Sequence, residues 1–264
     1  MIKLFASDLD GTLLHNGTNL NDRDIDSIQA IISEGMEFAV ATGRMDRDIL
    51  VVAKSIGSVA HRVSQNGAIV NDKTNQEIST SFFPIELSIK LHHAMEAIGQ
   101  MYTVTTSDEV YVTKEFEIMK EMEEFLYFPI KIHGKLLEGY NDETIHVVKF
   151  SIVAPPEEVV GIRDTLVADF ADVAEIYISD SRCVDIVPKG ISKAYGLAQL
   201  MQGLNVRKEE VAVIGDSFND VPMFQMTPHS YAMAGAKDAV KAHASCVVTS
   251  VSEAIEDLKA KGLI

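Results

Sequence analysis

Short runs of apolar residues alternate with segments of helical spacing in the first part of the chain. Apolar runs of a length typical of strands cover residues 2–7 and 36–41. A third strand is predicted at about 61–65, and it runs into Asn66-Gly67, a strong turn signal. Residues 22–34 and 46–56 separate these predicted strands and carry apolar side chains three and four positions apart, which predicts amphipathic helices. Continuous apolar strands that alternate with helices are typical of a parallel sheet covered on both faces.

The last part of the chain repeats this pattern. Residues 191–203 have helical spacing, residues 211–214 form a continuous apolar run, and residues 252–260 are predicted to form a C-terminal helix. The two ends of the chain therefore predict one α/β fold, a Rossmann-like doubly wound parallel sheet.

The middle of the chain differs because several predicted strands follow one another without an intervening helix. That order is typical of an α+β domain. The simplest organisation is a core formed by residues 1–82 and 189–264, with an α+β domain inserted at residues 83–188. Within the insertion we predict helices at 85–98, 115–125 and 157–170, and strands at 101–106, 109–113, 145–153, 173–179 and 182–187.

Composition and charge exclude several classes of function. The 264 residues are 47% hydrophobic, enough for a sizeable core, and the formal net charge is −16. Excess carboxylates repel nucleic acid and anionic membranes, so neither is expected as a partner. No apolar run approaches the length of a membrane span, no signal peptide is apparent, and both cysteines are expected to be free thiols. We therefore expect a cytoplasmic protein, either a monomer or a small homo-oligomer.

Polar residues follow predicted strands at three places. Asp8 and Asp10 end the first strand, Thr42 follows the second, and Asp216 and Asp220 follow a strand near the end of the chain. Ligands of open parallel sheets bind outside the carboxyl ends of the strands, so we expect these side chains to lie close together. Each group alone is common in turns and helix caps, but their coincidence at strand ends predicts a functional site.

A cluster of carboxylates needs a counter-charge, because like charges at close range raise one another's pKa. Oxygen ligands select a hard cation, and Mg²⁺ binds one or two carboxylates together with substrate phosphate. A remaining carboxylate can attack phosphorus, while another acts as acid and then as base. Asp8 and Asp10 suit these roles because residues two apart on an extended segment point to the same side. Lys193 begins the helix before the last of these strands and can supply positive charge.

These motifs resemble those of the haloacid dehalogenase superfamily of phosphohydrolases, specifically its Cof-type subfamily with a type IIB α/β cap. The resemblance follows the whole chain in order and includes the insertion after the third core strand. The matching segments are Asp8-x-Asp10-Gly11-Thr12-Leu13, Ala41-Thr42-Gly43-Arg44, Pro188-Lys189-Gly190-Ile191-Ser192-Lys193 and Gly215-Asp216-Ser217-x-Asn219-Asp220.

The resemblance implies a role for each matching residue. Asp8 would be the nucleophile and a Mg²⁺ ligand, and Asp10 the acid and base, with its backbone carbonyl on the metal. Asp216 would complete the protein ligands of Mg²⁺, and Asp220 would act through water or Lys193. The phosphoryl group would be held by Thr42, the Gly43 N–H, Lys193 and Asn219, and the leaving group would be contacted by Arg44 and Asn66.

The resemblance also implies the reaction. Family dehalogenases and phosphonatases lack an aspartate at the position of Asp10, so its presence favours phosphoryl transfer from oxygen. The expected function is Mg²⁺-dependent hydrolysis of small phosphorylated metabolites, sugar phosphates above all, through an aspartyl-phosphate on Asp8. The inserted domain would set substrate specificity. Two alternatives stay open: a phosphotransferase or phosphomutase on sugar phosphates, and a phosphometabolite-binding regulator without turnover.

Overall fold

The computed structural model describes residues 1–15 and 17–264, and the chain divides into two compact units. The first unit comprises residues 1–79 and 193–264, and the second comprises residues 80–192. The first part of the chain contains strands β1 (Leu4–Ser7), β2 (Leu14–His15), β3 (Asn19–Leu20), β4 (Glu37–Ala41), β5 (His61–Ser64), β6 (Ile69–Asn71) and β7 (Glu77–Thr80), and helices α1 (Asp22–Ser33) and α2 (Asp46–Ile56).

The remaining elements follow in two blocks. The middle of the chain contains helices α3 (Ile85–Ile98), α4 (Met119–Phe125), α5 (Leu136–Asn141) and α6 (Pro156–Phe170), and strands β8 (Met101–Thr105), β9 (Val110–Val112), β10 (Lys131–Ile132), β11 (Lys149–Val153), β12 (Ala174–Asp180) and β13 (Cys183–Pro188). The last part contains helices α7 (Lys193–Leu204), α8 (Val221–Met226), α9 (Asp238–Lys241) and α10 (Val251–Ala260), and strands β14 (Val211–Gly215), β15 (His229–Met233) and β16 (Cys246–Val248).

The first unit is built on a sheet of order β16-β15-β14-β1-β4-β5-β6-β7. Strand β1 lies between β14 and β4 and pairs in parallel with both. The outer pairs β14–β15, β15–β16 and β4–β5 are also parallel. This arrangement confirms the predicted α/β fold, because every residue of β1 and β14 is buried, as expected for strands covered on both faces.

One edge of this sheet was not predicted. Residues 65–67 reverse the chain, so that β6 pairs antiparallel with β5. Gln65 and Asn66 both have positive φ angles, 49° and 58°, and Gly67 follows at 94°. Asn66-Gly67 is a dipeptide typical of turns, so the turn at this point was predicted. The left-handed backbone at Gln65 and the returning strand β6 were not predicted.

The core of the first unit is tight where helix α7 crosses the sheet. A Cβ atom on Gly196 of this helix would lie 2.5 Å from Val63 and 2.8 Å from the Cα atom of Gly67. The helix therefore approaches the sheet at a position that only glycine allows. This contact brings the N-terminus of α7, which begins at Lys193, to the ends of the neighbouring strands.

The second unit contains a separate sheet of order β10-β9-β8-β11-β13-β12. Strands β8, β11, β13 and β12 pair antiparallel, and Phe150, Val184 and Ile186 belong to a buried core that also includes helical residues such as Leu91 and Leu166. Among the residues that the structure describes, no helix is both long enough and apolar enough to span a bilayer.

Two predicted elements of the second unit begin later than expected. The predicted strand at 145–153 is extended only from Lys149, because the N–H groups of Thr144 and Ile145 bond to the carbonyl of Gly139 and close helix α5. The predicted helix at 115–125 begins at Met119. Strand β10 and helix α5 were not predicted, since two strand residues and six helix residues are too few for a periodic signal.

Candidate active site

The carboxyl ends of the central strands bring the candidate residues of the first unit to one edge of the sheet. Asp8 follows β1, and its N–H group donates a hydrogen bond to the carbonyl of Ile214 in β14 at 2.9 Å. Thr42 follows β4, and its N–H group donates to the carbonyl of Val63 in β5 at 2.9 Å. The pattern of hydrogen bonds between parallel strands therefore continues to Asp8 and Thr42 themselves, and it fixes where their side chains begin.

Lys193 lies at the centre of the cluster. Its ammonium group donates to Oδ1 of Asp8 at 2.5 Å and to Oδ1 of Asp220 at 2.6 Å. The side chain is only 1% exposed, and Asp8 and Asp220 are 4% and 0% exposed. One carboxylate oxygen each of Asp8, Asp216 and Asp220 lies within 4.8 Å of the others. Three carboxylates and one ammonium thus share a site from which water is largely excluded.

The carboxylate of Asp220 has protein partners on both oxygens. Its Oδ1 atom accepts from Lys193, and its Oδ2 atom accepts from the N–H groups of Asp216 and Ser217 at 2.9 Å each. Gly215 makes this possible, because a Cβ atom there would collide with the side chain of Asp220. Asp220 therefore contacts both Lys193 and the backbone of the loop around Asp216.

Asp216 is held from the opposite side by the first motif. The hydroxyl of Thr12 donates to its Oδ1 atom at 3.2 Å. Gly11 has a φ angle of 79°, and a Cβ atom at this position would lie 2.5 Å from Oδ2 of Asp216. The glycine therefore allows both the left-handed turn and the close approach of the Asp216 carboxylate.

Burial and crowding shift the pKa values in this cluster. Burial, followed by repulsion from Asp220, raises the pKa of Asp8 well above its ordinary value, although Lys193 opposes the shift. Burial and the charge of Asp220 raise the pKa of Asp216 in the same way. Burial alone would lower the pKa of Lys193, but the charges of Asp220 and Asp8 raise it, so the ammonium stays charged. The site carries more negative charge than its one lysine neutralises.

The donor set fits a hard divalent cation. All three candidate ligands are carboxylates, and the raised pKa values of Asp8 and Asp216 show that a further positive charge would stabilise their ionised forms. Because both oxygens of Asp220 already accept hydrogen bonds, Asp8 and Asp216 are the carboxylates best placed to bind the ion. The nature of the donors favours Mg²⁺ or a similar ion over a soft metal.

Asp10 points to a different partner from the rest of the cluster. Nε of Arg44 donates to its Oδ2 atom at 2.8 Å, and Nη2 of Arg44 donates to its Oδ1 atom at 2.5 Å. The Asp10 side chain is 46% exposed, whereas that of Arg44 is 8% exposed. Arg44 was predicted to contact the leaving group, and that role stays a prediction. The contact described here is with the candidate acid and base.

Asn66 and Asn219 form a pair beside Thr42. Nδ2 of Asn219 donates to Oδ1 of Asn66 at 3.0 Å, and the N–H group of Asn66 donates to the carbonyl of Thr42 at 2.9 Å. Asn66 is fully buried. Within the described part of the chain, Oδ1 of Asn219 is buried without a hydrogen-bond partner. Gly43, which follows Thr42, is partly exposed.

Several residues that shape this site were not singled out from the sequence. Thr12 and Gly215 lie inside the motifs, but their contacts with Asp216 and Asp220 depend on distances that no sequence pattern contains. Ser217 could have been recognised, since a serine followed three positions later by an acidic residue, here Asp220, is typical of a helix N-terminus.

Comparison with known proteins gives the class to which this fold and site belong. A family model for haloacid dehalogenase-like hydrolases matches residues 5–255. The match spans nearly the whole chain, including both units and every candidate site residue. The protein therefore belongs to this family of hydrolases.

Curated relatives extend the comparison to named enzymes. The chain is 25% identical over 242 residues to the HMP-PP phosphatase of Serratia proteamaculans, covering 91% of this chain and 87% of the relative. It is also 25% identical over 249 residues to the 5-amino-6-(5-phospho-D-ribitylamino)uracil phosphatase YbjI of Escherichia coli, covering 92% and 89%. Together with the family, these relatives support phosphatase activity.

Solved structures show the same fold over the full length. The crystal structure of TM0651 from Thermotoga maritima matches with a TM-score of 0.82 and 26% identity, covering 97% of each chain. The subclass IIB sugar phosphatase BT4131 matches with a TM-score of 0.84 and 22% identity, covering 99% of this chain and 100% of the other. The second match is evidence for the fold alone.

Proposed function

We propose that this protein is a Mg²⁺-dependent phosphatase that transfers the phosphoryl group of a small phosphorylated metabolite to Asp8 and then to water. The observation that carries the proposal is the buried contact of Lys193 with Asp8 and Asp220, beside Asp216. Burying these charges has a desolvation cost that a purely structural ion pair rarely recovers. Preorganised charge is what phosphoryl transfer requires.

In the first step, an oxygen of Asp8 attacks the phosphorus atom of the substrate. The bond between phosphorus and the leaving-group oxygen breaks, and that oxygen takes the proton of Asp10. The products are the dephosphorylated metabolite and an aspartyl-phosphate on Asp8. Asp8 suits this role because it is 4% exposed and held by Lys193, so its attacking carboxylate is oriented and poorly hydrated.

In the second step, a water molecule attacks the phosphorus atom of the aspartyl-phosphate. Asp10 accepts the proton of that water, the bond between phosphorus and Asp8 breaks, and inorganic phosphate leaves. Asp10 is half exposed, which supports a role for its side chain in exchanging protons with both the leaving group and water.

Four further groups are suited to hold the phosphoryl oxygens. Lys193 supplies positive charge, and the hydroxyl of Thr42 and the N–H group of Gly43 lie at the end of β4. Nδ2 of Asn219 donates one of its hydrogens to Asn66, and its second hydrogen is the group that suits a phosphoryl oxygen. Mg²⁺, when bound, would neutralise charge that develops on the phosphoryl oxygens, and the groups that would hold it are the carboxylates of Asp8 and Asp216 with the backbone carbonyl of Asp10.

The relatives support a small phosphorylated molecule as substrate. Two of them are named as phosphatases of HMP-PP and of a phosphoribitylamino uracil. The second unit, which we propose as the specificity domain, holds a small buried polar cluster on the neighbouring strands β11 and β13. Ser151 donates to Oδ1 of Asp185 at 2.6 Å, and Nζ of Lys149 lies 3.5 Å from the same oxygen. Among small phosphorylated molecules, the resemblance to the Cof-type subfamily favours sugar phosphates.

The test is a phosphate-release screen across sugar phosphates, nucleotides and p-nitrophenyl phosphate, with Mg²⁺ and with EDTA. Asp8→Asn is assayed beside the wild type, since its amide has nearly the same shape but is a poor nucleophile. We expect release that requires Mg²⁺ and is lost in the variant. Formation of a phosphorylated isomer without free phosphate would instead indicate a phosphotransferase or phosphomutase, and binding without turnover would indicate a regulator.

A further inference from the structure

Arg44 makes a two-point contact with the carboxylate of Asp10. Nε donates to Oδ2 at 2.8 Å and Nη2 donates to Oδ1 at 2.5 Å, so both oxygens of the candidate acid and base are engaged by one planar guanidinium. A fork of this kind fixes the plane of a carboxylate as well as its position, which an ammonium group cannot do.

The guanidinium of Arg44 is also anchored to the protein on other sides. Nη2 donates to the backbone carbonyl of Gly17 at 2.9 Å. The backbone of Arg44 is held too, because its N–H group donates to the hydroxyl of Thr42 at 3.2 Å and its carbonyl accepts from the N–H group of Gln65 at 2.8 Å. The side chain is 8% exposed. These contacts fix the guanidinium before any substrate arrives.

We propose that Arg44 is a positioning residue for Asp10: it sets the orientation in which Asp10 delivers its proton to the leaving group and later accepts one from water. This inference rests on the proposed function of Asp10. It differs from the predicted contact between Arg44 and the leaving group, because the guanidinium donates to both oxygens of Asp10 and to a backbone carbonyl. Arg44 acts on the substrate through Asp10.

Such a role has a specific kinetic consequence. A sugar alkoxide leaves only with a proton from Asp10, whereas p-nitrophenolate departs as an anion and needs none. The value of kcat/KM reports the steps up to transfer of the phosphoryl group to Asp8. A misplaced Asp10 therefore lowers kcat/KM for a sugar phosphate far more than for p-nitrophenyl phosphate. A misplacement of about 1 Å costs about 100-fold in rate.

The experiment measures both kcat/KM values for the wild type, Arg44→Gln and Arg44→Lys, using a sugar phosphate that the wild type hydrolyses. We expect Arg44→Gln to change the ratio of the two values by about 100-fold. Arg44→Lys keeps the charge without the fork, so we expect it to recover only part of this loss. In an Asp10→Asn background, Arg44→Gln should change the ratio little further, since both residues then act through one missing group.

Arg62→Gln is the matched control. Arg62 is also buried and donates to a carboxylate, that of Asp46, at 2.8 Å, but Asp46 is not a candidate site residue. We expect this control to lower the melting temperature while leaving the ratio unchanged.

Two results would overturn the inference. Equal losses for both substrates in Arg44→Gln would assign the residue to phosphate binding or to the fold. An effect of Arg44→Gln that only raises KM for the sugar phosphate, and that adds to the effect of Asp10→Asn, would assign Arg44 to contact with the leaving group. Activity retained by Asp8→Asn would instead contradict the covalent mechanism of the proposed function. That result is separate from the inference about Arg44, because the ratio of the two kcat/KM values is measured without the Asp8→Asn variant.

Discussion

Replacement of Gly11 by alanine tests whether the position of Asp216 matters for activity. The added Cβ atom would lie 2.5 Å from Oδ2 of Asp216, whereas ordinary contacts begin at 3.4 Å, so the carboxylate must move by about 1 Å. Because Asp216 is a candidate metal ligand, a displacement of this size should lower kcat/KM by about 100-fold. That loss corresponds to about 2.7 kcal/mol of transition-state stabilisation.

The assay is phosphate release from p-nitrophenyl phosphate at increasing Mg²⁺ concentrations. We expect Gly11→Ala to require more Mg²⁺ for half-maximal activity as well as to turn over more slowly. Gly99→Ala is the matched control, because Gly99 has nearly the same φ angle, 78° against 79°, and a Cβ atom added there would have no neighbouring atom within 4 Å. Both variants carry similar backbone strain, of about 1–2 kcal/mol, but only one collides with Asp216.

Two outcomes would refute this reasoning. Wild-type activity and wild-type Mg²⁺ dependence in Gly11→Ala would mean that the position of Asp216 is not critical. An equal loss of activity in Gly99→Ala would mean that backbone strain, rather than the collision, is responsible.

Two further predictions concern charge. Lys193→Met should abolish phosphate release and destabilise the protein in EDTA by about 3–5 kcal/mol, because two buried carboxylates lose their cation. Urea unfolding measures the loss of stability. The control is Lys261→Met, which removes an exposed partner of Asp257 and should cost less than about 1 kcal/mol. The hydrogen bond from Lys3, with those from Arg207, lowers the pKa of Glu210 to about 2. The ionised Glu210 side chain therefore contributes its full stabilisation above the pKa of about 4.3 that glutamate has in the unfolded chain. This stabilisation is lost as the pH falls towards about 2. In urea unfolding, the stability advantage of the wild type over Glu210→Gln should shrink between about pH 5 and pH 3, and an advantage that stayed constant across that range would contradict the assignment.

The convergence of Asp8, Thr42 and Asp216 could be anticipated from the sequence because it follows from topology. Parallel strands place their carboxyl ends along one edge, so residues that directly follow β1, β4 and β14 must be neighbours. The apolar character of these strands identified them, and the motif residues follow at fixed positions. The roles of the individual side chains remain predictions.

The contacts of long side chains could not be anticipated in the same way. Which group Arg44 meets depends on the rotamer that its surroundings select, and its guanidinium could have faced a leaving group rather than Asp10. The antiparallel strand β6 depends on left-handed backbone at Gln65 and Asn66, which hydrophobic periodicity does not encode. Helix α5 is only six residues long, too short for its spacing to be distinguished.

The central claim is that Asp8 carries the phosphoryl group during turnover, and acid-quenched enzyme tests it most directly. The wild type is mixed with substrate and Mg²⁺, quenched within milliseconds and digested, and the peptide that contains Asp8 is weighed by mass spectrometry. We predict the added mass of one phosphoryl group on Asp8, absent in EDTA and in Asp8→Asn. Steady phosphate release by Asp8→Asn at the wild-type rate would contradict the account.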